Sequence, residues 1–331
     1  MQRKHILKVV ETHTGGQPTR TIVGGLDPIP GETMWDKYVY VQTHCDLLRT
    51  MVCQEPRGSE IMSGALLTEP CDPEAQIGVL HFEAAGWLPM CGHNTIGVCT
   101  VLTERDLVPT AEPETCITMD TPAGIIRAAV TMENGQATAV RFRAVPSFPL
   151  LLNGAIETER WGDLPVEIGW GGSAVAFVKA APFQMEICPE NAVAYERLAA
   201  ELMPRIKAKY PVTHPALPHV KSISHLAFYT DEGPRRHVVI GPDGHCDRSP
   251  CGNGTCARAA LLYAKGLLKP GDSFEQYSVM GSRFTCTCVG ETMIEGTPAM
   301  VPEISGRAWQ TAESTYFVSE TDPLGLGFSL A

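Results

Sequence analysis

The stretch LPMCGHNTIGV (88–98) turns an extended run into a helix and places a cysteine at the turning point. A buried structural cysteine sits more comfortably inside an apolar segment. This one is followed at once by glycine and two polar residues. The same grammar returns in DRSPCGNGTCARAALL (247–262). Aligned on their cysteines, CGHNT and CGNGT share Cys, Gly and Thr at matching offsets.

Working outward, a glycine pair precedes each cysteine at a similar distance. Between Gly15 and Cys91 lie 75 residues, and between Gly171 and Cys251 lie 79. Two matched landmarks at near-equal spacing are the signature of a duplicated unit. The divide is expected in the turn MENGQ (132–136), centred on Asn-Gly. The closing segment, TYFVSETDPLGLGFSL, is expected to return to the first half. The predicted domains are therefore 1–135 with 306–331, and 136–305.

Strand signals dominate: KVVET (8–12), YVYVQT (38–43), IGVLHFEA (77–84), ATAVRFRAV (137–145), AVAFVKA (174–180), LAFYT (226–230) and HVVIG (237–241). All are short, rich in β-branched or aromatic residues and bounded by turn formers. Helices are predicted over 93–108, 191–210 and 253–266, the last closed by Gly266. Many strands with a few helices make the fold class α+β or a mixed sheet.

The 331 residues suit two domains, and the net charge of −11 argues against nucleic acid or an anionic membrane surface as partner. No apolar run approaches a membrane span. The N-terminal stretch offers no signal-peptide core, so twelve cysteines read as reduced thiols in the cytoplasm. The remaining partner is a small-molecule substrate, with a homodimer the one protein partner considered.

A cysteine just before a helix meets unpaired N–H groups and the positive end of the helix dipole, which favour thiolate over thiol. The N–H groups of Gly92, His93, Gly252 and Asn253 are placed to bind a carboxylate. One Cys-Gly before a helix is more often packing than catalysis. Its recurrence in two similar halves favours function. Two thiols flanking one carbon would supply a base on one face and an acid on the other. That is inversion at a carbon α to a carboxylate, with the helix starts stabilising the enolate-like charge. No pyridoxal-lysine pattern, dinucleotide loop or metal cluster accompanies the cysteines, so no cofactor is expected.

These motifs, with EPRG (55–58), MSGAL (62–66), DTPAG (120–124) and WGGSA (170–174), resemble the proline racemase family over nearly the whole chain. The resemblance implies a diaminopimelate-epimerase-like fold: two pseudo-symmetric domains, strands wrapped round a central helix in each, and substrate between them. It also implies that Cys91 and Cys251 are the acid/base thiols, that Gly92, His93, Gly252 and Asn253 hold the carboxylate, and that Asp247 and His93 sit near the ring nitrogen. His225, in SISHLAF (222–228), is a candidate contact for a substrate hydroxyl.

Two departures stand out: Asn253 where the family usually has Thr, and Cys256 where it usually has Ser. Cysteine at both acid/base positions favours epimerisation over trans-3-hydroxy-L-proline dehydration. The lead-in LPM and a polar GSRF (281–284) favour 4-hydroxyproline over proline, Arg283 suiting a hydroxylated ring. A silent imino-acid-binding protein is the non-enzyme alternative. CTC (286–288) is half a zinc site without its other half, and His44, His81 and His237 read as surface or packed residues.

Overall fold

A computed structural model describes residues 3–218, 220–319 and 321–329. The chain runs β1 (Arg3–Thr14), β2 (Gln17–Gly24), α1 (Met34–His44), α2 (Asp46–Cys53), β3 (Ser63–Thr68), β4 (Ile77–Glu83), β5 (Gly86–Leu88), α3 (Gly92–Glu104), β6 (Glu114–Thr121), β7 (Gly124–Glu133) and β8 (Gln136–Arg143). It continues through β9 (Phe148–Thr158), β10 (Gly162–Trp170), β11 (Ala174–Lys179), α4 (Ala192–Lys209), β12 (His225–Tyr229), β13 (His237–Ile240) and α5 (Gly252–Ala264). The last strands are β14 (Ser273–Tyr277), β15 (Arg283–Ile294), β16 (Thr297–Gly306) and β17 (Ala308–Ser319).

Two compact units result: Met1–Phe142 with Gly306–Ala331, and Arg143–Ser305. The turn expected to divide the halves instead joins β7 to β8 within the first unit. Asn134 and Gly135 both have positive φ there, the conformation a tight two-residue hairpin needs. The Asn-Gly pair closes a hairpin inside the first unit and does not mark its boundary.

In the first unit the strands run β8-β7-β6-β4-β3-β2-β1-β17, with β5 on β4. β2 pairs with β3, and β4 with β6, in parallel; the other neighbours are antiparallel. α3 is buried from Asn94 to Thr103 on every side and contacts β1, β2, β3, β7 and β17. A helix buried all round needs a sheet curled about it. Ile96, Val98, Val101 and Leu102 are each 0–1% exposed, worth roughly 1.5–3 kcal/mol apiece. Leu80 and Phe82 of β4 face away, into a second core with Met34, Tyr38 and Met51 of α1 and α2.

The second unit repeats the plan. A sheet ordered β13-β12-β11-β10-β9 carries α5 on one face and α4 on the other. Alternation along β11 makes this visible: Ala174, Ala176 and Val178 join the α4-side core, whereas Val175 and Phe177 join the core around α5. Both faces are covered, so the strand reads as a continuous apolar run.

One expected strand is a helix. YVYVQT lies in α1, where Thr33 and Asp36 form a reciprocal capping box and Met34, Lys37, Tyr38 and Val41 share the buried face. The cap and the i, i+3, i+4, i+7 spacing outweigh the strand propensity of Val and Tyr. No helix among the described residues is long and apolar enough to cross a membrane.

Candidate active site

Each unit presents a cysteine at the N-cap of its central helix, and the two caps differ. Cys91 has ordinary extended geometry, φ −143° and ψ 122°, and its side chain makes no capping bond. Its carbonyl accepts from the Thr95 N–H at 2.9 Å and the Thr95 hydroxyl at 2.8 Å. Its half-buried Sγ lies 3.6 Å from Nδ1 and 3.8 Å from Nε2 of His93.

His93 is held from two sides. The Thr14 hydroxyl donates to its carbonyl at 2.9 Å, and its Nε2 meets Ser63 Oγ at 2.8 Å. Ser63 in turn reaches Asn94 Oδ1 at 2.9 Å and Pro18 O at 3.1 Å. Gly97 lets the helix approach β1 and β2 closely, since a Cβ there would lie 2.8 Å from Thr19 Oγ1. Thr14, Ser63 and Asn94 were absent from the expected site. Ser63 lies in the quoted MSGAL and Asn94 follows His93, but only tertiary contact unites them.

At the second helix start, Cys251 is buried and holds φ 55° with ψ 110°. A non-glycine residue there is strained. A relay of bonds enforces it. Asp247 Oδ1 accepts from the Ser249 N–H at 2.8 Å, Ser249 Oγ from the Cys251 N–H at 3.0 Å, and Cys251 Sγ from the Gly254 N–H at 3.4 Å. The Cys251 carbonyl accepts from the Thr255 N–H at 2.8 Å, and the Thr255 hydroxyl donates to Pro250 O.

The structure also explains the glycine pair of the second half. A Cβ on Gly171 would lie 2.3 Å from Asn253 O and 2.4 Å from Ala257 N, and one on Gly172 would lie 2.8 Å from Asn253 Oδ1. The β10–β11 turn thus seats the first turn of α5. Gly15 and Gly16 make the corresponding β1–β2 turn, both at positive φ.

Cys91, Gly92 and His93 therefore gather at one helix start, and Asp247, Cys251, Gly252 and Asn253 at the other. His225 opens β12, with Nδ1 3.2 Å from Ser173 Oγ and 2.7 Å from Ser224 Oγ. Desolvation lowers its pKa to about 4, so the ring is neutral near pH 7. Cys256 is fully buried, and desolvation pushes its thiol well up, which makes it inert packing. Cys286 and Cys288 are buried on β15, and among the described residues no three His, Cys, Asp or Glu side chains gather to hold a metal.

One expectation is corrected. Arg283 is exposed at the start of β15, its guanidinium paired with Glu275 of β14. An arginine committed to a surface ion pair does not supply selectivity for a ring hydroxyl.

Two units, each built round a central helix that a Cys-Gly cap opens, define the diaminopimelate-epimerase-like fold. The family model described as proline racemase matches residues 9–329. A 4-hydroxyproline 2-epimerase of Streptosporangium roseum is 39% identical, and a proline racemase of Clostridioides difficile 38%; each match covers all of both chains. A solved hydroxyproline epimerase from Agrobacterium vitis, with trans-4-hydroxy-L-proline bound, superposes with a TM-score of 0.89 at 32% identity, covering 100% of this chain and 96% of that one. The chain belongs to the proline racemase family.

Proposed function

We propose that this chain is a cofactor-independent 4-hydroxyproline 2-epimerase. It interconverts trans-4-hydroxy-L-proline and cis-4-hydroxy-D-proline with Cys91 and Cys251 as acid and base. The observation that carries the reading is the pair of cysteine-capped central helices, one per unit. A thiolate removes the α-proton and becomes a thiol, while the other thiol delivers its proton to the opposite face and becomes a thiolate. The carbanion between these steps spreads charge onto the carboxylate. First-turn N–H groups at Gly92, His93, Gly252 and Asn253 stabilise that charge more in the transition state than in the ground state. Asp247 balances the cationic ring nitrogen, and His225 approaches the ring hydroxyl as a neutral group.

Hydroxyproline is preferred over proline on the Leu-Pro-Met lead-in to Cys91 and on the likeness to the Agrobacterium vitis enzyme. Identity to the proline racemase is nearly as high, and proline is therefore the second substrate to test. A cytoplasmic location is supported by the twelve cysteines, a number that suits a reducing compartment in a chain of this length.

The deciding assay incubates trans-4-hydroxy-L-proline, L-proline and trans-3-hydroxy-L-proline separately in deuterated water. Expected is α-deuteration with inversion, fastest on the 4-hydroxy substrate. Faster turnover of proline overturns the substrate assignment, loss of water from the 3-hydroxy compound points to a dehydratase, and binding without α-exchange leaves only an imino-acid-binding protein.

A further inference from the structure

Pro250 O, the carbonyl just before Cys251, meets two side chains: the Thr255 hydroxyl at 2.8 Å and Nε2 of His237 at 2.5 Å. The N–H of the same peptide unit donates to Ser249 Oγ at 3.0 Å. Ser249, Thr255 and His237 are each 0–1% exposed. Buried side chains therefore hold the Pro250–Cys251 peptide plane at both ends, next to the residue whose φ is 55°. The first unit differs at the matching place. Thr95 donates to the carbonyl of Cys91 itself, one residue further along, and Cys91 keeps extended backbone.

A carbonyl only accepts, so Nε2 of His237 carries hydrogen. Turning the ring over would set a C–H against Pro250 O. Nδ1 has no partner among the described residues. Burial, opposed by the bond to Pro250 O and reinforced by the charge of Arg258, lowers the pKa of the ring to about 4. Left-handed backbone at a non-glycine residue persists only where its surroundings over-determine it. Ser249 and Thr255 are chain neighbours of Cys251 and travel with its turn. His237 opens β13, paired with Tyr229 of β12, and reaches the turn from the sheet.

We propose that His237 is a positioning residue for Cys251. By donating from Nε2 to Pro250 O, it locks the peptide plane that keeps Cys251 left-handed, with Sγ against the Gly254 N–H. This deepens the epimerase reading and rests on it only for the effect on turnover. A sulfur that gains and loses a proton in every cycle stays aimed at the reacting carbon if its backbone does not relax as its charge changes.

The test labels the full-length protein with ¹³C-cysteine and reads the Cα and Cβ shifts of Cys251, assigned by their loss in Cys251→Ala. Expected are left-handed shifts in the wild type, movement toward extended values in His237→Leu, and wild-type values in His237→Gln, whose amide nitrogen reaches the place of Nε2. Turnover measured by α-proton exchange should follow. In His237→Leu, kcat falls about tenfold, the value of one hydrogen bond, while KM changes less than about twofold; His237→Gln recovers most of the loss. Unmoved shifts or wild-type kcat in His237→Leu overturn the proposal, and a Gln variant no better than Leu refers the effect to packing and overturns it too. If His237→Leu does not fold, ¹⁵N-histidine labelling of the wild type decides, with His237 assigned from the Gln variant. Hydrogen on Nε2 supports the proposal, and hydrogen on Nδ1 alone overturns it. A wild type without α-exchange defeats the epimerase reading and leaves the shift result standing.

Discussion

The Gly254 N–H donates to Cys251 Sγ at 3.4 Å, whereas Cys91, at the matching place in the first unit, makes no capping bond. One helix start therefore stabilises sulfur charge directly. A hydrogen bond to a charged group contributes roughly 1.5–3 kcal/mol, and the helix dipole up to about 2 more. Burial alone pushes Cys99 up to about 12, so the cap separates Cys251 from an ordinary buried thiol. The ultraviolet thiolate absorbance at neutral pH is expected to come mainly from Cys251. In a Cys116→Ala background, which removes an exposed thiol, Cys251→Ser should abolish most of the signal and Cys91→Ser little. The reverse pattern would defeat this assignment of the resting base.

The backbone at Cys251 yields a second expectation. Left-handed φ costs a non-glycine residue on the order of 1–3 kcal/mol. Cys251→Gly should remove the thiol and relieve that strain, leaving the protein about 1 kcal/mol more stable than Cys251→Ala by urea unfolding. Both should lose α-proton exchange. Cys91 has φ −143°, where glycine relieves nothing, so Cys91→Gly should be the less stable member of its own pair. Equal stabilities for the two Cys251 variants would argue against strain there.

Much of this was legible in the residues. The two Cys-Gly caps and their glycine pairs are local signals, and both central helices began within a residue of where they were expected. What escaped the sequence depends on partners remote in the chain. Ser63 looks like any strand serine until β3 is placed beside α3, 30 residues away along the chain. The strain at Cys251 is set by Ser249 and Asp247 rather than by its own propensity. Arg283 misled because polarity was visible and its partner Glu275, on the neighbouring strand, was not. The α1 segment misled because Val and Tyr favour strands while Thr33 and Asp36 cap a helix.

Gly171 carries the contact between the β10–β11 turn and α5. An added methyl would strike backbone atoms, Asn253 O and Ala257 N, at 2.3 and 2.4 Å, and backbone cannot rotate away as a side chain can. Gly171→Ala should therefore cost about 1–3 kcal/mol as an overpacked site and shift the start of α5. Epimerase turnover should fall more than stability implies, because Asn253 and Cys251 share that turn. Gly135→Ala is the control for the method: nothing lies within 4 Å of its added Cβ, and its positive φ alone should cost stability without touching turnover. If the Gly171 variant retained wild-type kcat, the seating role of the turn would be refuted.

Three desolvated histidines weaken the fold toward acid. Desolvation depresses His81 to about 3, and His225 and His237 to about 4, against 6.5 for an exposed ring. Above pH 6.5 both folded and unfolded chains hold these rings neutral, and the contribution is fully present. As pH falls below 6.5 the unfolded chain binds protons that the folded chain refuses, and stability is lost until each folded pKa is passed. By pH 5 the loss should be on the order of 1–2 kcal/mol per histidine. His81 offers the cleanest check, because neither ring nitrogen has a hydrogen bond to sacrifice. His81→Leu should keep or raise stability at pH 7. It should also shrink the drop in urea midpoint between pH 7 and pH 5 by one histidine's share. A Leu variant with the wild-type pH slope would show that His81 is already protonated in the folded protein at pH 5.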